Sequence, residues 1–308
     1  MTFWQNKPMK FTKQDWLDRI GRPQKYRFDH TLTLKAKFSL PGCLGELYHQ
    51  ANGPDTYQRV MMLFPEETAA PCPAVVVPFY YPEAMLGMDP FRGEILQKFA
   101  GIEMMLHLVR RGYAVASADA YHLTYTASKR ERDDFRRWHD AAEALLTDHP
   151  GWTGIGKLAA DTMLLTDALA ADPRVDENRI GIAGHSLGGK MAFYAGCLDD
   201  RIRVILASDF GIGWEQTNWR DLWYWGDKVD SMKNAGMDHA SLLETAAPKP
   251  MILLAGQYDD MASYDMMCRA AGYETAADHL AIINHASGHR PPAEALEAGY
   301  AFLDRFLK

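Results

Sequence analysis

Gly184-His185-Ser186-Leu187-Gly188 decides the reading of this chain. The apolar run Arg179-Ile180-Gly181-Ile182-Ala183 leads into it, and the helix-compatible Gly189-Lys190-Met191-Ala192-Phe193-Tyr194-Ala195 leads out. A buried strand, a tight turn carrying serine and then a helix lift the hydroxyl above the strand ends, because the flanking glycines leave room for a strained turn. Ser186 is therefore a candidate nucleophile. Read without chemistry, the same stretch is a glycine-rich turn with a serine N-cap. The strand before it and the helix after it favour the nucleophile.

Working outward, short continuous apolar runs alternate with helix-compatible stretches. Pro73-Ala74-Val75-Val76-Val77-Pro78 and Tyr113 to Asp119 read as strands covered on both faces, as do residues 179–184, 203–208, 250–256 and 279–284. Helices are expected near 94–111, 156–171, after Ser186 and at 292–307, while residues 30–38 and 56–64 read as opening antiparallel strands. The alternation predicts an α/β protein with a mainly parallel sheet flanked by helices. At 308 residues with 47% hydrophobic content, a single domain over 1–308 is expected. Residues 1–55 form an N-terminal extension and first strand, and 121–152 and 210–245 are insertions placed as a lid or pocket wall.

A serine hydroxyl is a poor nucleophile at neutral pH and needs a base, with a third group to orient that base. Such groups collect at the carboxyl ends of the strands in an open α/β sheet. The acid candidates there are Asp259, in Gly256-Gln257-Tyr258-Asp259-Asp260, and Asp209, which follows the strand 203–208; Asp260 serves if the turn is rotated by one residue. The histidine candidates are His285 and His289, and His289 is preferred because Gly288 frees the loop just before the last helix. Asp259 is the first choice as acid. Against this, Asp in a turn often bonds only its own backbone. Two further groups must donate to a developing oxyanion. The Leu187 N–H follows the nucleophile and starts a helix, and the loop Phe79-Tyr80-Tyr81-Pro82 supplies a second, with the Tyr81 amide first and Tyr80 second. Tyr80 and Trp214 are expected to contact substrate. Trp214, Trp219, Trp223 and Trp225 crowd one insertion, where they either offer flat surfaces to a sugar or aromatic acyl group or pin the loop as a local core.

The Gly-His-Ser-Leu-Gly-Gly elbow, an acid after a later strand and the C-terminal Gly288-His289 resemble the α/β-hydrolase superfamily over residues 56–308, in its dienelactone hydrolase and acetyl xylan esterase-like branch. The resemblance implies an α/β-hydrolase fold and a covalent acyl-enzyme on Ser186, with His289 as base then acid and Asp259 holding the imidazole. Dienelactone hydrolases use a cysteine nucleophile, so Ser186 favours an esterase over a lactonase. The segment Ser208-Asp209-Phe210-Gly211-Ile212-Gly213-Trp214 is also similar to glucuronoyl esterases, which place the acid after this earlier strand. Those enzymes carry an arginine after the serine, where this chain has Leu187.

The formal charge of −7 and pI near 5.9 argue against a phosphate-tracking surface and hence against a nucleic-acid partner. The basic pairs Lys129-Arg130 and Arg136-Arg137 sit among acids and read as a solvated helix face. No apolar run reaches the roughly 20 residues of a membrane span, and the N-terminus lacks the pattern of a secretory signal. Cys43, Cys72, Cys197 and Cys268 are widely spaced, which suits reduced thiols in a cytoplasmic protein. The spacing of His285 and His289 lacks the Glu of a zinc-protease motif, so no metal is expected, and no organic cofactor. The expected partner is a small-molecule ester, with acylated carbohydrates among the candidates. Oligomeric state is open. The rivals are a peptidase or amidase of the prolyl oligopeptidase type, whose usual N-terminal propeller does not fit about 70 residues before the first buried strand, and a non-catalytic receptor of the same fold.

Overall fold

The computed structural model describes residues 10–21, 31–67, 71–126, 129–270, 273 and 277–308. Trp4 and residue 30 of the first expected strand lie outside them. Along the chain the strands are β1 (Leu32–Leu40), β2 (Cys43–Gly53), β3 (Thr56–Pro65), β4 (Cys72–Val76), the short hairpin of β5 (Met88–Asp89) and β6 (Glu94–Ile95), β7 (Ala114–Ala118), β8 (Val175–His185), β9 (Ile202–Ser208), β10 (Met251–Ala255) and β11 (Leu280–Asn284). The helices are α1 (Lys13–Ile20), α2 (Pro82–Leu86), α3 (Met104–Arg110), α4 (Phe135–Asp148), α5 (Gly154–Ala170), α6 (Leu187–Leu198), α7 (Lys228–Ala235), α8 (His239–Ala246), α9 (Met261–Cys268) and α10 (Ala293–Leu307).

Nine strands form one sheet in the order β1-β2-β3-β7-β4-β8-β9-β10-β11. β1, β2 and β3 pair antiparallel, β3 joins β7 antiparallel, and every pairing from β7 to β11 is parallel. Successive side chains on a strand face opposite ways, and the strands are apolar on both faces. Val60, Met62, Ala74 and Val76 therefore join a core under α5 and α6, whereas Met61, Leu63, Val75 and Val77 join a second core under α3 and α10. The parallel strands all point their carboxyl ends at one rim, which is where the loops carrying Ser186, Asp209, Asp259 and His289 emerge.

Several features depart from the sequence expectations or add to them. The expected helix over 94–111 is realised only as α3, because Glu94–Ile95 pairs with Met88–Asp89 and Gly101 takes the left-handed φ of 90°. β2 was not foreseen: it is a mixed polar segment whose burial does not follow clean alternation. The segment 121–152 contains α4, and α1 near the start of the chain is set by a capping box between Thr12 and Asp15. Arg130 pairs with Asp140 and Arg136 with Asp134, in keeping with a solvated face. Cys43, Cys72, Cys197 and Cys268 are free thiols, and among the described residues no helix is long and apolar enough to cross a membrane.

Candidate active site

β8 runs to His185 and α6 begins at Leu187, so Ser186 alone makes the turn, with φ 56° and ψ −115°. A non-glycine residue held there costs roughly 1–3 kcal/mol, which the surrounding packing must offset. The packing is tight: a Cβ on Gly184 would lie 2.0 Å from the Gly188 carbonyl oxygen, and one on Gly188 would lie 2.1 Å from that of Pro78. The Ser186 amide donates to the Ser208 carbonyl at 2.8 Å, locking the elbow to the neighbouring strand.

His289 reaches this elbow from the far end of the chain. Its Nε2 lies 2.8 Å from Ser186 Oγ and its Nδ1 lies 2.6 Å from Asp209 Oδ2. A carboxylate only accepts, so Nδ1 carries the proton and Nε2 is left to accept from the serine hydroxyl. Gly288, with φ 85°, turns the loop between β11 and α10 that presents the ring. His285, the other histidine of that loop, bonds through Nδ1 to Ser287 Oγ at 2.8 Å and does not meet the serine.

The acid that orients His289 is Asp209, which corrects the expectation for Asp259. Asp209 uses Oδ1 to accept from the amides of Gly256, Tyr258 and Asp259, and turns Oδ2 to the imidazole. Burial pushes its carboxyl up, but the bond from His289 and the amides outweigh this and hold it below the ordinary carboxylate value. Asp259 is fully buried and points back at the neighbouring loop. Its two oxygens accept from the amides of Phe210, Gly211 and Ile212, each at 2.8 Å, and from Ser263 Oγ at 2.8 Å. Burial dominates there and raises its pKa. Asp260 caps α9, accepting from the Ala262 amide at 2.8 Å, and is likewise away from the imidazole.

Sequence reasoning missed the groups that pack around the imidazole. The His185 ring lies 4.6 Å from that of His289, and the Tyr258 ring meets it edge-on at 5.0 Å. Burial, and then the nearby His289, push His185 down to about 3, so it stays neutral beside the base. Its place as the variable residue inside the Gly-x-Ser-x-Gly elbow was the available signal.

Leu187 occupies the first position of α6, where a helix amide has no partner within the helix. The contact of Gly188 with Pro78 and Phe79 brings the segment carrying Tyr80 and Tyr81 against the start of this helix. Tyr80 is half-buried, with edge-on contacts to Phe79, His122 and Trp138. Trp214 is not a free platform. It is 8% exposed, its Nε1 donates to the Met237 carbonyl at 3.1 Å, and its ring packs 4.1 Å from that of His239. Trp219 and Trp225 are also buried, their indole N–H groups donating to the Gly211 carbonyl and Tyr194 Oη. These three pin the insertion as a local core, and the half-buried Trp223 stacks on the exposed Phe135.

Residues 155–308, which hold the elbow, both acids and His289, match the family described as the prolyl oligopeptidase family. The chain belongs to that family. Among relatives, the protein YtaP of Bacillus subtilis (strain 168), provisionally named a hydrolase, is 25% identical over 260 residues, covering 79% of this chain and 81% of YtaP. Among solved structures, a Bacteroides fragilis NCTC 9343 protein provisionally titled an acetyl xylan esterase aligns with a TM-score of 0.71 at 17% identity, covering 90% of this chain and 77% of that one. A glucuronoyl esterase from Solibacter usitatus aligns at 0.69 and 15% identity, covering 93% and 89%. Family and architecture together make this chain an α/β-hydrolase.

Proposed function

We propose that this chain is a serine esterase that cleaves carboxylic esters of small acylated molecules through an acyl-enzyme on Ser186. The observation that carries the reading is the continuous relay Asp209–His289–Ser186, with contacts of 2.6 and 2.8 Å. His289 takes the serine proton as Oγ attacks the ester carbonyl carbon, and Asp209 stabilises the imidazolium that forms. The oxygen that becomes negative is received by the amides of Leu187 and Tyr81. As the tetrahedral species collapses, His289 gives its proton to the departing alkoxide. Water then repeats the sequence on the acyl-enzyme and frees Ser186.

The esterases among the similar folds support an ester, and the half-buried Tyr80, Tyr258 and Trp223 suit an acylated carbohydrate. The family match favours amide bonds as the second reading. Ser186→Ala is expected to abolish hydrolysis of a short-chain p-nitrophenyl ester, by at least about 10⁴-fold, with an unchanged melting temperature. Full residual activity would remove the proposal, and faster turnover of aminoacyl amides than of acetyl esters would move it to the peptidase side.

A further inference from the structure

A cluster of two cations and two anions, outside the catalytic relay, holds the segment assigned to the second oxyanion donor. Arg59, on β3, donates through Nε and Nη2 to Asp119 at 2.7 and 2.8 Å, and through Nη1 and Nη2 to Glu83 at 2.7 and 3.2 Å. Arg132 adds a bond to Glu83 at 2.9 Å and lies 3.7 Å over the Tyr81 ring, whose hydroxyl donates to Asp133. Glu83 and Asp119 are nearly inaccessible to solvent.

The position of these groups along the chain is informative. Ala120, next to Asp119, donates its amide to the Tyr80 carbonyl at 3.1 Å. In a trans peptide the N–H points opposite to the C=O, so this bond sets the direction of the Tyr81 N–H. Glu83 lies two residues beyond Tyr81, in the first turn of α2. One guanidinium thus ties Glu83, just beyond the Tyr80–Tyr81 peptide, to Asp119, next to the residue whose amide bonds that peptide's carbonyl. α2 has five residues and no side-chain cap at Tyr81, too little to hold this peptide by itself. The two carboxylates are buried while the arginines are partly exposed, and burying ions contributes little net stability compared with apolar residues of the same size, so stability alone is a poor explanation for these charges at this place.

We propose that Arg59 is a positioning residue for the oxyanion hole, fixing the Tyr81 amide through Glu83 and Asp119. The inference rests on the acyl-transfer reading of Ser186. Its test uses two variants, Glu83→Gln, which keeps the shape, and Arg59→Lys, which keeps the charge but cannot fork. Each is assayed for kcat and KM on p-nitrophenyl acetate and for the rate of Ser186 labelling by a fluorophosphonate, with circular dichroism and melting as fold controls. A misplaced donor lowers transition-state stabilisation, so kcat and labelling rate are expected to fall together by about 10-fold or more, with KM within about twofold. A folded variant of either kind with wild-type kcat and labelling rate would overturn the role of Arg59, as would a change confined to KM. Wild-type protein that labels elsewhere than Ser186 would instead remove the acyl-transfer reading, and this inference with it.

Discussion

Asp209 and Asp259 follow neighbouring parallel strands, β9 and β10, and each carboxylate is buried in the other's loop. Asp209 gathers the amides of 256, 258 and 259, while Asp259 gathers those of 210, 211 and 212. The difference is one free oxygen. The amides of 256, 258 and 259 converge on Oδ1 of Asp209, which leaves Oδ2 for His289. Asp259 spends both oxygens on backbone and Ser263, and has none to offer an imidazole. A carboxylate at the right end of the right strand is therefore not enough. Its remaining hydrogen-bonding capacity decides between orienting a base and building the loop that holds the acid which does.

The sharpest way to break this contrast is to replace each acid by its amide. Asp209→Asn is expected to lower kcat by about 10⁴-fold, because the histidine loses its orienting acceptor, with little change in melting temperature. Asp259→Asn is expected to act the other way round. Its amide group faces backbone donors it cannot accept from, which costs about 2–4 kcal/mol of stability and lowers kcat by only about tenfold. Chemical denaturation and steady-state kinetics on both variants check the pair, and a reversed order of effects would exchange the two roles.

A smaller effect separates the loop's core from its surface. Trp214→Phe removes the bond to the Met237 carbonyl and part of the packing against His239, and is expected to cost about 1–3 kcal/mol while leaving KM within about twofold. A large rise in KM without loss of stability would restore Trp214 as a substrate contact.

The smallest effect is on the pH dependence of stability. Burial holds His122, His185 and His239 at about 3 in the folded protein, below their usual 6.5. Between those values the unfolded chain binds protons that the folded chain does not, so stability falls as pH drops through 6.5 and continues to fall toward 3. Above 6.5 these groups are neutral in both states and contribute no slope. His185→Gln is expected to make the fall in melting temperature between pH 7 and pH 5 shallower than in the wild type; an unchanged slope would contradict a neutral, buried His185.

The comparison also marks how far the sequence could be read. The elbow was legible because Gly184, Ser186 and Gly188 meet a backbone requirement that few other residues satisfy, and the parallel strands because they are buried on both faces. His289 could be placed from Gly288 and the following helix. The choice between Asp209 and Asp259 could not, since it depends on which amides of one loop face the other. The burial of Trp214 is hidden from the sequence for a related reason. Composition shows an aromatic-rich insertion, but its indole partners, the carbonyls of Met237 and Gly211 and Tyr194 Oη, are distant in sequence.

The relay is tested most directly by mapping fluorophosphonate labelling in the wild type, Asp209→Asn and Asp259→Asn side by side. The expected result is modification of the peptide containing Ser186 in the wild type, a loss of labelling rate of about 10³-fold or more in folded Asp209→Asn, and near-normal labelling in folded Asp259→Asn. Labelling at another residue, or wild-type labelling in Asp209→Asn alongside silence in Asp259→Asn, would contradict it.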